Sequence, residues 1–467
     1  MAAQLLSPAA LGSLPPSVRL PIYPRRSQAA GVVHLGLGAF HRAHQAMVFD
    51  TLLEQGDARW GVIGVAMKST AVADALDAQD GLYSVQITGL PDAHCRVIAT
   101  LWQTCVAARE PNTVTYALAA PSTRWVTLTV TEKGYTPALA ELIAGGLALR
   151  CRAGLPGLTI ASCDNLSGNG DLLRSLCLQA AEGDSALRDW ISSACAFPNS
   201  MVDRIVPAAT ATVAQAALQL LGVRDAAALA TEGFWEWILE DRLADASDAA
   251  SLRLAGVQVV PDVRPFEVAK LRMLNGSHSA IAAVGAVLGL PTVSDCMAQP
   301  EIAKFIHGLM TKELMPHVTR PRADAYRDAL LARFANPALQ HQAHQIATDF
   351  SKKIPQRWVP AVLARLKAGE PAEHLAFAAA AWMRYCRGED ESGRSYELSD
   401  PLGQTLLATA RQHRGDCVAT VRSLMNMEVW GTELANDGPW AGRIGHWLQR
   451  INAAGMRAAL AQAIATN

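Results

Sequence analysis

A short apolar run, Gly31-Val-Val-His-Leu35, passes directly into Gly36-Leu-Gly38-Ala-Phe40-His-Arg42, and the residues that follow, 43–55, have helical spacing. A second apolar run occupies 60–66. Strand, glycine-rich turn, helix and strand in that order constrain the fold strongly, because two parallel neighbours need a crossover long enough to hold a helix. Further runs at 82–88, 96–100, 125–131 and 158–162, several rich in Val, Ile and Thr, are separated by turn or helix signals. The pattern predicts an α/β domain built on a largely parallel, doubly wound sheet of the Rossmann type.

The character changes between Pro261 and Pro265. Beyond it Ala, Leu, Met and Gln dominate, with helical spacing over 268–288, 301–315, 323–334 and 373–386. Two domains are therefore expected: residues 1–264, a proline-rich leader and a dinucleotide-binding domain, and residues 265–467, a mainly helical domain for substrate and catalysis. A chain of 467 residues has ample length for two large cores.

Charge and cysteine usage exclude several classes. The 41 Lys and Arg balance 42 Asp and Glu, so the clustered basic excess of a nucleic-acid binder is missing. The nine cysteines form no C-x-x-C pair, which argues against a disulfide framework or a zinc ribbon and for a reducing, cytoplasmic setting. Residues 1–26 lack the basic start of a secretory signal, and prolines interrupt their apolar content. No apolar stretch is long enough to span a bilayer. A small-molecule partner fits this balance, with neither nucleic acid nor membrane involved; oligomeric state is left open, because no heptad seam is present.

Three groups of residues are candidates for chemistry. Gly36 and Gly38 let backbone N–H groups approach a pyrophosphate at a helix start, although His41 stands where a third glycine is usual and the same pattern also serves plain structural turns. The acidic residue that would bind a ribose hydroxyl after the second strand is absent from Val65-Ala-Met67-Lys68-Ser69-Thr70. Lys68 suits a 2′-phosphate, which leaves NADP open beside NAD. In the second group, Glu267, Lys270, Asn275 and His278 share one arc of an otherwise apolar helix. At about 100° per residue, Glu267 lies near 60°, His278 near 80° and Asn275 near 140° from Lys270. Such a set either serves a pocket or forms a solvated face. The third group, Ser162-Cys-Asp164-Asn165 with Asn169-Gly170, ends a strand where α/β sheets bind ligands, or else caps a helix.

Together, Gly36-Leu-Gly38-Ala-Phe40-His-Arg42-Ala-His44, Thr129-Val-Thr-Glu132-Lys133-Gly134-Tyr135, Ser162-Cys-Asp164-Asn165 and Lys270-x4-Asn275-x2-His278 resemble the polyol-specific long-chain dehydrogenase/reductases, the mannitol dehydrogenase family. The resemblance runs from about Val32 to Pro401. Pro198-Asn-Ser-Met201-Val-Asp-Arg204, His344-Gln-Ile-Ala-Thr-Asp349-Phe-Ser-Lys-Lys353-Ile-Pro-Gln-Arg357 and Ala381-Trp-Met-Arg384-Tyr are most similar to its fructuronate reductase branch. The resemblance implies an NAD-dependent, metal-independent reduction with Lys270 as general acid/base. Asn165 and Asn275 would cradle the substrate oxygen, His278 would orient hydroxyls, and Glu267 would relay protons. Gly36, Gly38, Phe40, Arg42, Glu132 and Lys133 would contact the cofactor, with Lys68 beside them, and Lys353 and Arg357 would meet a substrate carboxylate. The expected reaction interconverts fructuronate and mannonate; the alternative is a mannitol 2-dehydrogenase or related polyol dehydrogenase. A nucleotide-sensing protein without turnover is disfavoured, because binding alone has no use for Lys270, Asn275 and His278 as a set. The chain departs from the branch at Phe350, where a glycine is usual, and at 243–250, where an Arg-Pro stretch is usual.

Overall fold

The computed structural model describes residues 4–89 and 94–465. The chain falls into two compact units that divide after Arg264.

The first unit is built on a five-stranded sheet of β1 (Val32–Leu35), β2 (Val62–Ala66), β3 (Leu101–Val106), β4 (Trp125–Leu128) and β5 (Thr159–Ser162). All neighbours are parallel, and the order is β3-β2-β1-β4-β5. β1 and β4 pair in register from Val32 opposite Trp125 to Leu35 opposite Leu128. The chain order reverses at β1, which opens a crevice beyond the carboxyl ends of β1 and β4, the usual ligand position in such sheets. These strands read as continuous apolar runs because helices cover both faces: β1, β4 and β5 are buried at every position. The core on one side gathers Phe49, Trp60, Trp125 and Trp237, and on the other Leu35, Val126, Ile143 and Ile160.

Two strands expected in this sheet lie elsewhere. Tyr83–Thr88 and His94–Ile98 form an antiparallel pair in a separate four-stranded sheet with Val18–Arg19 and Leu229–Glu232. The apolar run at 96–100 continues past Thr100 into β3, and periodicity alone does not show where one strand stops. The break falls at Ala99-Thr100, where the Thr100 carbonyl accepts the Val62 N–H and hands the chain to the edge of the parallel sheet. A third, three-stranded sheet pairs Ser200–Asp203 antiparallel to Glu236–Glu240, with Gln258–Val260 parallel on its other side.

The second unit is helical. Its buried centre is α4 (Ser277–Leu288), covered almost throughout, packed against α8 (Glu373–Tyr385), every residue of which from His374 onward is buried. The lead-in is α3 (Arg264–Ala269), followed by a π-helical segment, Lys270–Gly276. The unit also holds α5 (Ala323–Phe334), α6 (Phe350–Arg357) and α7 (Val359–Lys367). The expected single helix over 268–288 is thus three consecutive segments, α, π and α. A second π segment, Leu309–Leu314, interrupts the other long helical stretch. No helix among the described residues is long and apolar enough to cross a membrane.

Candidate active site

The candidate nucleotide site lies at the end of β1. Gly36 sits at φ +100°, and a Cβ there would fall 2.2 Å from the Thr129 carbonyl oxygen, so only glycine lets β1 turn this closely over β4. Gly36 and Leu37 both donate to the Val65 carbonyl, which holds the turn on β2. Gly38 is the N-cap of the short helix α1 (Ala39–Ala43). Nothing but the Gly36 carbonyl, 3.7 Å away, lies within 4 Å of where a Gly38 Cβ would stand, so the turn is open above it. The amides of the helix's first turn have no carbonyl four residues earlier to bond within the helix. An open glycine turn with such donors is what a dinucleotide pyrophosphate requires, so these residues fit the cofactor.

Buried side chains brace this turn from behind. His34 is hydrogen-bonded at both ring nitrogens, Nδ1 to Thr127 Oγ1 at 2.8 Å and Nε2 to the Gly36 carbonyl at 3.1 Å, and it stacks on His41 at 3.3 Å between ring centroids. Burial pushes its pKa down to about 3 and holds His41 well below the usual value. The imidazole at position 41, where a third glycine was expected, is therefore neutral stacking partner and filler. Arg42 is also turned inward: Nη1 donates to the Ala227 carbonyl at 2.6 Å, and the guanidinium lies over the Tyr83 ring. Phe40 is half-buried and stacks on His44. Lys68, just past β2, and Glu132 and Lys133, on a 3₁₀ turn after β4, are exposed.

At the end of β5 the sequence motif divides its labour. Asp164 is buried, and its carboxylate accepts the N–H groups of Val130 and Thr131 at 3.1 and 2.8 Å, tying the ends of β4 and β5 together. Desolvation raises its pKa, while these donors oppose the rise. Asn169 is equally internal, bonded to the Asp164 carbonyl and to both backbone groups of Ser200. Asn165 alone of the set is exposed. The helix that follows, α2 (Asn169–Ala180), has Gly168 at its N-cap, and its first N–H groups, those of Gly170 and Asp171, are accepted by Asn199 Oδ1 at 2.9 and 3.0 Å, so neither Asn165 nor Asn169 caps it.

The second unit carries its own set of candidate residues. Lys270 opens the π segment, half-buried, with Glu267 buried on α3 before it. Asn275 is half-buried near the end of the same segment, and His278 is buried in the first turn of α4. The angular arithmetic of an α-helix does not apply across it. A π-helix bonds i to i+5, so Lys270 and Asn275, five residues apart, become neighbours on successive turns instead of lying about 140° apart as α geometry requires. Burial holds the His278 pKa well below its usual value, with His341, Arg333, Arg357 and Lys353 reinforcing the shift. Its ring packs on Phe334 at 4.4 Å and presents to the edge of His341 at 5.5 Å.

Lys353 and Arg357 lie one turn apart on α6. Lys353 Nζ donates to the Ile346 carbonyl at 3.0 Å, and burial lowers its pKa to about 8. Arg357 Nη1 donates to the Asn275 carbonyl at 3.2 Å and to Ser279 Oγ at 2.9 Å, and burial lowers its pKa to about 10. Arg333, on α5, is a buried cation that sequence reasoning missed. Nothing in the spacing of α5 distinguishes it from a surface arginine, and only the fold brings it within electrostatic reach of His278. Trp358 was missed too; its indole Nε1 donates to the Gly276 carbonyl at 2.9 Å. Among the described residues, no group of three or more His, Cys, Asp and Glu is arranged to hold a metal ion, and none of the nine cysteines is in a disulfide.

A parallel sheet with an open glycine turn at its switch point, joined in one chain to a helical unit presenting lysine, amide and neutral imidazole, defines a nucleotide-dependent oxidoreductase. Residues 30–250 match the mannitol dehydrogenase Rossmann domain and residues 262–452 the mannitol dehydrogenase C-terminal domain. The chain belongs to the mannitol dehydrogenase family. It is similar to the mannitol 2-dehydrogenase of Phaeosphaeria nodorum, 36% identical over 96% of this chain and 83% of that one. It is likewise similar to the D-mannonate oxidoreductase of Escherichia coli, 34% identical over 92% and 95%. Among solved structures, a Pseudomonas fluorescens mannitol 2-dehydrogenase in ternary complex with NAD and D-mannitol superposes with a TM-score of 0.83, at 29% identity over 99% of this chain and 100% of that one. A substrate-free D-sorbitol dehydrogenase reaches 0.90 at 30% identity, over 97% and 100%.

Proposed function

We propose that this member of the family is an NAD-dependent reductase of a keto-sugar acid, interconverting fructuronate and mannonate. The observation that carries the reading is the Lys353 and Arg357 pair. Two cations stand one turn apart on α6, both desolvated enough to lower their pKa, and among the described residues both bond only to carbonyl or hydroxyl oxygens, with no carboxylate within ion-pair distance. Asp349 and Asp400 attract Lys353 only at longer range. Desolvating two cations without a counter-ion is costly, and an anionic ligand compensates that cost. A uronate carries such a charge and a polyol does not. The names of similar proteins include both substrate types, the mannitol 2-dehydrogenases and the D-mannonate oxidoreductase.

Bound NADH supplies the hydride. Lys270, as the ammonium, donates its proton to the substrate oxygen and recovers it through Glu267, buried three residues before it. Asn275, five residues on, supplies an amide donor to that oxygen as its charge develops. His278, held neutral by burial, orients a hydroxyl without adding a positive charge. Lys68, exposed and with no acidic residue near it in 65–70, lets NADPH bind as well.

The test is a comparison of kcat/KM for fructuronate and fructose with NADH and with NADPH. A preference of at least tenfold for fructuronate is expected. Higher efficiency with fructose would replace this reading with a mannitol 2-dehydrogenase. NADPH binding more than a thousandfold weaker than NADH would remove Lys68 from the cofactor contacts.

A further inference from the structure

The π segment Lys270–Gly276 is inserted between two α-helices, and such a segment puts the hydrogen-bond ladder one residue out of step with its flanks. Where bonding returns from i+5 to i+4 spacing, one carbonyl is passed over and has no N–H from the helix, so the end of such a segment is short of donors. The last two carbonyls of the segment, those of Asn275 and Gly276, each receive a side-chain donor from outside the helix. Arg357 Nη1 reaches the Asn275 oxygen at 3.2 Å, and Trp358 Nε1 reaches the Gly276 oxygen at 2.9 Å. These donors are adjacent residues at the junction of α6 and α7. Trp358 is 1% exposed, packs on Phe350, and keeps its indole N–H away from water. A buried N–H pointed at a helix carbonyl compensates the poorer bonding of a π turn, and its loss would leave both partners unsatisfied.

We infer that Trp358 is a positioning residue: its indole N–H holds the π register that brings Lys270 and Asn275 onto successive turns. Relaxation of the segment to α geometry would rotate Lys270 relative to Asn275 and His278 by about one residue, ~100°, and take the ammonium out of line with the amide. The inference rests on Lys270 being the acid/base. It goes beyond that reading in assigning the geometry to a residue that touches neither substrate nor cofactor.

The experiment is Trp358→Phe, which keeps an aromatic ring and deletes the donor, with Lys270→Ala measured in parallel. Expected for Trp358→Phe are a kcat at least tenfold lower, a displaced pKa in the kcat profile, a larger solvent isotope effect on kcat, and a KM for NADH within twofold of wild type. A lower unfolding midpoint with unchanged kcat and unchanged pH profile would show a merely structural tryptophan and overturn the inference. Should Trp358→Phe fail to fold, benzothienylalanine at position 358, which replaces N–H by sulfur in the same ring shape, is held to the same outcomes. If Lys270→Ala loses turnover while the position-358 variants do not, the inference falls alone. If Lys270→Ala keeps more than a tenth of wild-type turnover, the acid/base reading and the inference fall together.

Discussion

Lys270 and Lys353 are two lysines given different work by their surroundings. Lys270 opens the π segment, five residues before Asn275. Lys270→Ala is expected to lower kcat by about 10²–10⁴ while leaving NADH affinity, read by fluorescence titration, within twofold. Lys353 lies on α6, and its pKa is lowered to about 8 by burial. A group with a depressed lysine pKa is charged below that value and neutral above it. Carboxylate binding should therefore hold below pH 8 and weaken above it. For fructuronate, kcat/KM should fall through about pH 8 in a way that fructose does not share. Lys353→Met should cost about tenfold on fructuronate, abolish that extra limb and spare fructose. Equal losses on both substrates would make Lys353 a general hydroxyl ligand.

At the scale of elements, two turns of chain carry specific costs. Gly36 at φ +100°, with a backbone oxygen 2.2 Å from any added Cβ, predicts that Gly36→Ala destabilises the first unit by about 2 kcal/mol or more and weakens NADH binding. Urea unfolding and cofactor titration check both. Glu313, buried in the second π segment, accepts the His374 and Leu375 N–H groups at 2.7 and 2.9 Å and His374 Nδ1 at 3.0 Å. It thereby caps α8 from another helix, a role that local sequence rules do not describe. Glu313→Gln should cost about 1–3 kcal/mol, through loss of charge-assisted bonds at a buried helix start, with KM for both substrates unchanged.

Across the whole molecule, several histidines are buried and neutral: His34 with its pKa near 3, and His41 and His278 well below the usual value. The unfolded chain takes up protons on these groups below about pH 6.5, and the folded chain resists doing so. Through these groups stability should be level between about pH 7 and 7.5 and fall as pH drops below 6.5, by about 2 kcal/mol at pH 5 from His34 alone. Urea midpoints at pH 7.5 and 5 give the sign; an unchanged or higher midpoint at pH 5 would contradict it. How much of all this was legible in the sequence depends on the range of the interaction. The parallel sheet, the glycine turn and the helical second half are written in local periodicity, and Lys270, Asn275 and His278 in a motif. Those features were readable because backbone sterics and amphipathic spacing act within a few residues. The parting of 96–106 into strands of two sheets was not, since pairing partners are distant in sequence and one apolar run serves either. Neither was the inward turn of Arg42, the binding of Asp164 across β4 and β5, nor the gathering of Arg333, Lys353 and Arg357 about His278. Those depend on burial and on donors from remote segments, as does the π register at Lys270, which an α-helical reading of the same residues places about 140° away from the geometry the folded chain adopts. Primary structure supplies the side chains assigned to proposed roles. Their orientation and charge were decided by tertiary packing, because desolvation and hydrogen-bond partners exist only once the chain has closed around them.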